Sequence, residues 1–365
     1  MADLRARAAA LLEQLTSFPA VSGREEPLRE FLKEHLTFVD EVWTDALGNL
    51  YARLKANASS GEKTPKLMLA AHMDEIGLVV TAIEKSGALR VAPVGGVDLR
   101  NLLAAQVIVH TQGGPLPGVI GTIPPHLTQA KDRTQLPSWD DLYIDLGLDA
   151  EAVLSRVRPG DPVSMRREGT WLANGRYTGK ALDNRAGLAA AIAACEALAE
   201  RCRPADVILV ATAQEEVGMR GAVVAAQSLS PDVAIAIDVG FADMPGLARR
   251  ETIQMGKGPA LSIGANIHPG VRELLVQAAQ EAEIDVQVEV LPASSGTDAW
   301  PIQVANQGVP TGIVSIPLRY MHSTVEVVDI ADVAQAAELL AQFAAMLTAE
   351  RMGGWHGERI TGSTE

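Results

Sequence analysis

Four nearly continuous apolar runs, each closing on residues able to bind a metal ion, constrain this chain more than any other feature. Residues 66–71 (KLMLAA) end at His72, and Val207–Ala213 are followed by Gln214, Glu215 and Glu216. Val233–Ile237 ends at Asp238, and Val309–Ile316 is followed by LRYMHS, which contains His322. Strands that are apolar throughout, rather than at alternate positions, are covered on both faces. Helical patterns at about 185–200, 271–283 and 331–349 alternate with them, which predicts an α/β class with an open, largely parallel sheet. In such sheets a ligand binds beyond the carboxyl ends of the strands, where these residues lie.

Two further helices are expected at the amino end. MADLRARAAALLEQL reads as an amphipathic helix, not a signal peptide, because Asp3 and Glu13 interrupt it and no compact apolar core precedes a cleavage site. The second begins near Ser22, whose spacing to Glu25 is that of a capping box, with Leu28, Phe31, Leu32 and Leu36 on one face. The stretch from about 76 to 164 differs. Its short β-like segments (LVVTAIEK, LRVAPV, AQVIVHT) and turns such as Gly95-Gly96 predict a small all-β domain inserted between residues 1–75 and 165–365. A polar loop at about 128–141 and the tail after Met352 are expected to be loose.

Composition excludes several classes. No apolar run reaches the roughly 18–20 residues needed to span a bilayer. The net charge of −14 and the lack of a basic cluster interleaved with aromatics argue against nucleic-acid binding. With only Cys195 and Cys202 no disulfide framework is implied, and a cytoplasmic location is expected.

The strand ends deliver His72, Glu216, Asp238 and His322, and Asp183 in KALDNRAG precedes an Ala-rich helix from which it can reach the same cleft. Imidazole and carboxylate without thiolate suit zinc, cobalt or manganese. Five such groups exceed what one catalytic zinc needs, so two metals sharing a carboxylate explain the number better. Asp74, two residues after His72, is placed to accept the imidazole's second N–H. If Glu216 binds metal, its neighbour Glu215 is free to act as general base on water. Taken singly, each residue has a plainer reading: Asp183 as a helix cap, Asp238 as a turn residue, Glu215-Glu216 as a solvated pair, His322 as a loop histidine. Only their joint occurrence favours a metal site. His35, His110, His126, His268 and His356 lack that support and read as structural or surface residues. Gly256-Lys257-Gly258 lacks phosphate-loop spacing, and Ser294–Thr297 lacks nucleophile-elbow context but is suited to line a cleft.

AHMDEIG, KALDNRAG, AQEEVGMRG, AIDVG, SSGTDA and MHSTVE stand in the order found in the tetrahedral (TET-type) aminopeptidases, and GVIGTIPPHL and LPSWDDLYIDLG also resemble that family. The family includes glutamyl and deblocking aminopeptidases, some once labelled endoglucanases. The resemblance implies the dinuclear metallopeptidase fold, a mixed sheet flanked by helices with an inserted β-barrel-like dimerisation domain. It implies two divalent ions, zinc or cobalt, with His72 and Asp238 on one, Glu216 and His322 on the other and Asp183 bridging. Glu215 would be the base and Asp74 would orient His72. Peptides would be the substrates, and dimers would assemble into a dodecamer. A deacylase or carboxypeptidase on the same site, or a metal-binding scaffold without activity, are the alternatives. A glycosidase leaves the histidines without a role.

Overall fold

A computed structural model describes residues 2–58, 64–124, 126–127 and 138–355. The apolar runs become the middle of a mixed sheet. Strands Asp206–Thr212, Lys66–His72, Val233–Phe241 and Thr311–Arg319 lie side by side and parallel. Alternate residues of Lys66–His72 serve opposite faces. Leu67, Leu69 and Ala71 join one core with helices Ala2–Ser17, Leu182–Ala199, Pro269–Glu281 and Ile330–Met346. Met68 and Ala70 join another under Arg220–Leu229 and Ala299–Gln303. Each fully buried leucine contributes about 1.5–3 kcal/mol, and neither face could be left in water.

The sheet is less uniformly parallel than the four runs imply. Both flanks are antiparallel: Glu41–Thr44 and Leu50–Leu54 on one side, Glu326–Asp329, Arg176–Gly179 and Thr170–Trp171 on the other. These strands are short, two to five residues, so they offered no long apolar run to find.

Strands Gly77–Ile83, Leu89–Val94, Gln106–Thr111, Gly114–Gly121, Tyr143–Asp145 and Pro162–Met165 close a separate antiparallel barrel. Its core, including Val80, Val107, Val109, Ile120, Ile144 and Val163, shares no residue with the core of the α/β body. The chain enters the barrel immediately after the His72 strand, so the barrel hangs from the carboxyl edge of the sheet.

Some expectations fail in detail. The second helix runs Glu26–His35, and Glu25 precedes it with no side-chain cap. Ser22 instead donates its hydroxyl to Asp74 Oδ2 at 2.6 Å, and Glu25 Oε1 accepts from Gly23 and Gln214, so the Ser22/Glu25 pair serves the strand ends rather than a capping box. The tail does not fray at once, since Trp355 folds back on the His268 ring. Residues 128–137 and 356–365, on which the remaining loop and tail expectations fall, lie outside the described residues. Among the described residues no helix is long and apolar enough to cross a membrane.

Candidate metal centre

Sheet register aligns the site. Thr212 is level with His72, and Ala236 is paired with Ala70, so two residues further on Asp238 stands level with His72. Beyond Thr212 the chain turns at Gln214, whose φ of 57° is left-handed. The backbone N–H groups of Glu215 and Glu216 then donate to Asp74 Oδ1 and Oδ2 at 3.0 and 3.1 Å. Asp74 is fully buried, and its Oδ1 also lies 3.5 Å from His72 Nδ1. One carboxylate therefore ties the His72 strand to the turn carrying both glutamates, a wider role than contact with the imidazole alone.

Asp183 comes from the other layer. The peptide between Asp183 and Asn184 is cis, and Asp183 and Asn184 are not helical, so the helix proper follows them. Asn184 is held by Ile237 O at 2.8 Å and accepts from Gly187 N. A Cβ on Gly187 would lie 2.2 Å from Asn184 Oδ1, so only glycine permits this approach. Asp183 reaches both histidines: its Oδ1 is 3.0 Å from His72 Nε2 and its Oδ2 is 3.3 Å from His322 Nε2. Glu216 Oε2 lies 3.4 Å from His322 Nε2, and Asp238 Oδ1 is 3.8 Å from His72 Nε2. Two groups result, His72 with Asp183 and Asp238, and Asp183 with Glu216 and His322, in each of which the ligand atoms lie within 4.8 Å of one another. Asp183 belongs to both.

The electrostatics of this cluster are those of a cation site. Burial pushes Glu215 up to about 10, with the like charges of Asp298, Asp238 and Glu216 adding to it and His72 opposing. Burial likewise raises Asp238 well above the carboxylate range and raises Glu216. Burial disfavours charge on His72, but its contacts with Asp183 and Asp74 and the charges of Glu215 and Asp238 hold its pKa well above the usual imidazole value. Hydrogen bonds to Asp183 and Glu216 raise His322 to about 11 against the opposing effect of burial. Asp183 is buried too, yet the two histidines outweigh that and lower its pKa. So many buried acidic groups side by side favour a bound cation, and the donor set of imidazole and carboxylate suits one.

Two contributors were not legible as such in the sequence. Glu326, in the MHSTVE segment, is buried and accepts the backbone N–H of Asp183 on Oε2 at 3.2 Å and that of His322 on Oε1 at 2.8 Å. Gly96, from the barrel, accepts at its carbonyl from His322 Nδ1 at 3.1 Å. A Cβ on Gly96 would sit 2.6 Å from that nitrogen, so the barrel loop forms the seat of the ring. The glycine pair reads from sequence only as a turn.

The other features keep structural roles. His110 bonds Ser164 Oγ at 2.8 Å, His35 stacks on Phe31, and Cys195 is buried in the helix core. Gly256 and Gly258 donate their N–H groups to Asp332, not to a phosphate. Ser295, Gly296 and Thr297 line a cavity of about 290 Å³ that opens onto His72, Asp183, Glu215, Glu216, Asp238 and His322.

The architecture, a mixed sheet with a pendant barrel, defines the class: it is that of the TET aminopeptidases. The chain superposes on an aminopeptidase from the archaeon Desulfurococcus kamchatkensis with a TM-score of 0.90 at 41% identity, covering 98% of this chain and 99% of that one. The TET1 peptidase of Pyrococcus horikoshii, which can assemble into a tetrahedron or a large octahedral shell, matches with a TM-score of 0.83 at 32% identity, covering 93% and 100%. The lysyl aminopeptidase of Pyrococcus furiosus is 40% identical over 90% of this chain and 94% of its own. Residues 48–339 match the M42 glutamyl aminopeptidase family, and the chain belongs to that family.

Proposed function

We propose that this chain is an aminopeptidase that works with two divalent ions, zinc or cobalt. The observation that carries the reading is Asp183, which offers one oxygen to each of two three-residue groups. His72, Asp183 and Asp238 would hold one ion, and Asp183, Glu216 and His322 the other. Bound there, the ions supply Lewis acidity to a peptide carbonyl and to water in the cleft.

The chain's own residues do the rest. Glu215 faces the cavity with Oε2 4.0 Å from His72 Nε2 and makes no side-chain hydrogen bond among the described residues. At about 10 in the metal-free cluster it is protonated, and the positive charge of the bound ions would lower that pKa. The resulting carboxylate is placed to take a proton from the attacking water and to deliver it to the departing amine, a role worth roughly 10²–10⁴-fold in rate. Asp74 positions that base and its neighbour through their backbone N–H groups and faces His72 Nδ1. Glu326 ties the backbone of Asp183 to that of His322, one oxygen to each N–H.

The barrel, taken as an inserted unit spanning 76–164, is proposed as the dimerisation element of a homo-oligomer, with a dodecamer as the expected assembly. Its surface carries exposed Leu103, Val119, Ile123 and Leu154, which suit a protein contact. The substrates are peptides, the location cytoplasmic, and neither nucleic acid nor membrane is a partner.

Hydrolysis of aminoacyl-p-nitroanilides by the metal-stripped and metal-refilled protein tests the reaction. Turnover only after refilling supports it. Cleavage of N-acyl amino acids with no turnover of free-amine substrates would replace it with a deacylase, and a refilled protein inert on both would be a scaffold.

A further inference from the structure

Aminopeptidases differ in the side chain they accept, and the reading above leaves that choice open. The cleft itself contains an unassigned charged group. Glu289 lies on the edge strand Gln287–Leu291, whose alternation turns Val288 and Val290 to solvent and Glu289 toward the cavity. Of the residues lining that cavity, it is the one charged group outside the metal cluster and its base, and none is Lys or Arg.

Its carboxylate is fixed from behind. Ser262 Oγ donates to Oε2 at 2.9 Å and Ser315 Oγ donates to the same oxygen at 2.6 Å, and both serines are almost fully buried. Ser315 is the sheet partner of Asp238, so Glu289 is anchored one strand away from a proposed metal ligand. Oε1 accepts no hydrogen bond among the described residues. It stands where a side chain at position 240 would be, 2.9 Å from an ideal Cβ on Gly240, which also lines the cavity. Phe241, Leu291 and Met321 supply apolar walls. A pocket with apolar sides and one fixed carboxylate matches a long aliphatic stem ending in a cation.

We propose that Glu289 is a specificity-determining residue that selects peptides with an N-terminal lysine or arginine, the free Oε1 accepting the terminal ammonium or guanidinium. The proposal rests on the aminopeptidase reading. A charge-assisted hydrogen bond of this kind is worth roughly tenfold to a hundredfold in discrimination.

The test compares kcat/KM on p-nitroanilides of lysine, arginine, norleucine and glutamate, norleucine being the lysine stem without its ammonium. In the unaltered protein lysine and arginine should exceed norleucine by at least about tenfold, with glutamate poorest. Glu289→Gln should cut the lysine-to-norleucine ratio by about tenfold or more, and Glu289→Lys should shift preference toward glutamate. Equal turnover of lysine and norleucine in the unaltered protein overturns the proposal. So does a Glu289→Gln protein that loses all substrates in the same proportion, which would make Glu289 an anchor for the common α-amine. Failure to cleave any of the four, with metals bound, overturns the aminopeptidase reading itself and this inference with it.

Discussion

The backbone N–H of Asp183 donates to Oε2 of Glu326 at 3.2 Å, so the residue shared by the two candidate ligand groups is held through its main chain as well as through its side-chain contacts. The other oxygen of Glu326 takes the N–H of His322, which has left-handed φ of 59°. Replacing Glu326 with Gln puts an amide donor against one of those N–H groups. Such supporting contacts typically change metal affinity by about 10–100-fold. Glu326→Gln should therefore bind metal about tenfold or more weakly, measured by competition with a chelator, and should recover kcat at saturating metal better than any ligand substitution does.

Gly96→Ala tests the barrel's part in the site. The added methyl meets His322 Nδ1 at 2.6 Å and Cε1 at 2.9 Å, so the ring must move. The ion held by Glu216 and His322 should weaken by at least about tenfold, and the ion on His72 should be less affected. Equal weakening of both, seen in a metal titration, would show that the loop acts on the whole centre.

Glu215→Gln separates binding from chemistry. Glu215 belongs to neither three-residue ligand group, so metal content should stay near two per chain by elemental analysis while kcat falls by roughly 10²–10⁴-fold. Loss of metal in step with activity would make Glu215 a ligand instead of a base.

Metal affinity should rise with pH. In the metal-free protein His322 is raised to about 11 by Asp183 and Glu216, so at neutral pH it carries a proton that must leave before the ring can bind an ion. Below that pKa each released proton makes apparent affinity about tenfold weaker per unit fall in pH. Between about pH 8 and 6 the constant should thus drop by about a hundredfold or more, read by chelator competition in parallel with proton release in buffers of different ionisation enthalpy. A flat profile would mean that His322 is not displaced from its proton and is not a ligand.

The central strands could be read from the sequence because burial on both faces demands unbroken apolar runs, and the cluster could be read because those runs end together. The short antiparallel flanks, such as Glu326–Asp329, carry no such pattern, since their pairing is fixed by neighbours distant in sequence. The same distance hid the contact of Glu326 with Asp183 and that of Gly96 with His322, which span 143 and 226 residues. Glu289 sits on an edge strand with alternating exposure, where a glutamate looks like ordinary surface until the fold places Ser262 and Ser315 behind it. Ser22 and Glu25 had capping-box spacing, but tertiary contacts with Asp74 and Gln214 took both side chains.

The most direct measurement is a titration of metal-stripped protein with zinc or cobalt, following aminoacyl-p-nitroanilide turnover against equivalents added per chain. A centre built around Asp183 predicts no turnover without metal and full turnover only as the second equivalent is taken up. Turnover that survives complete removal of metal, or that is complete at one equivalent, would contradict it.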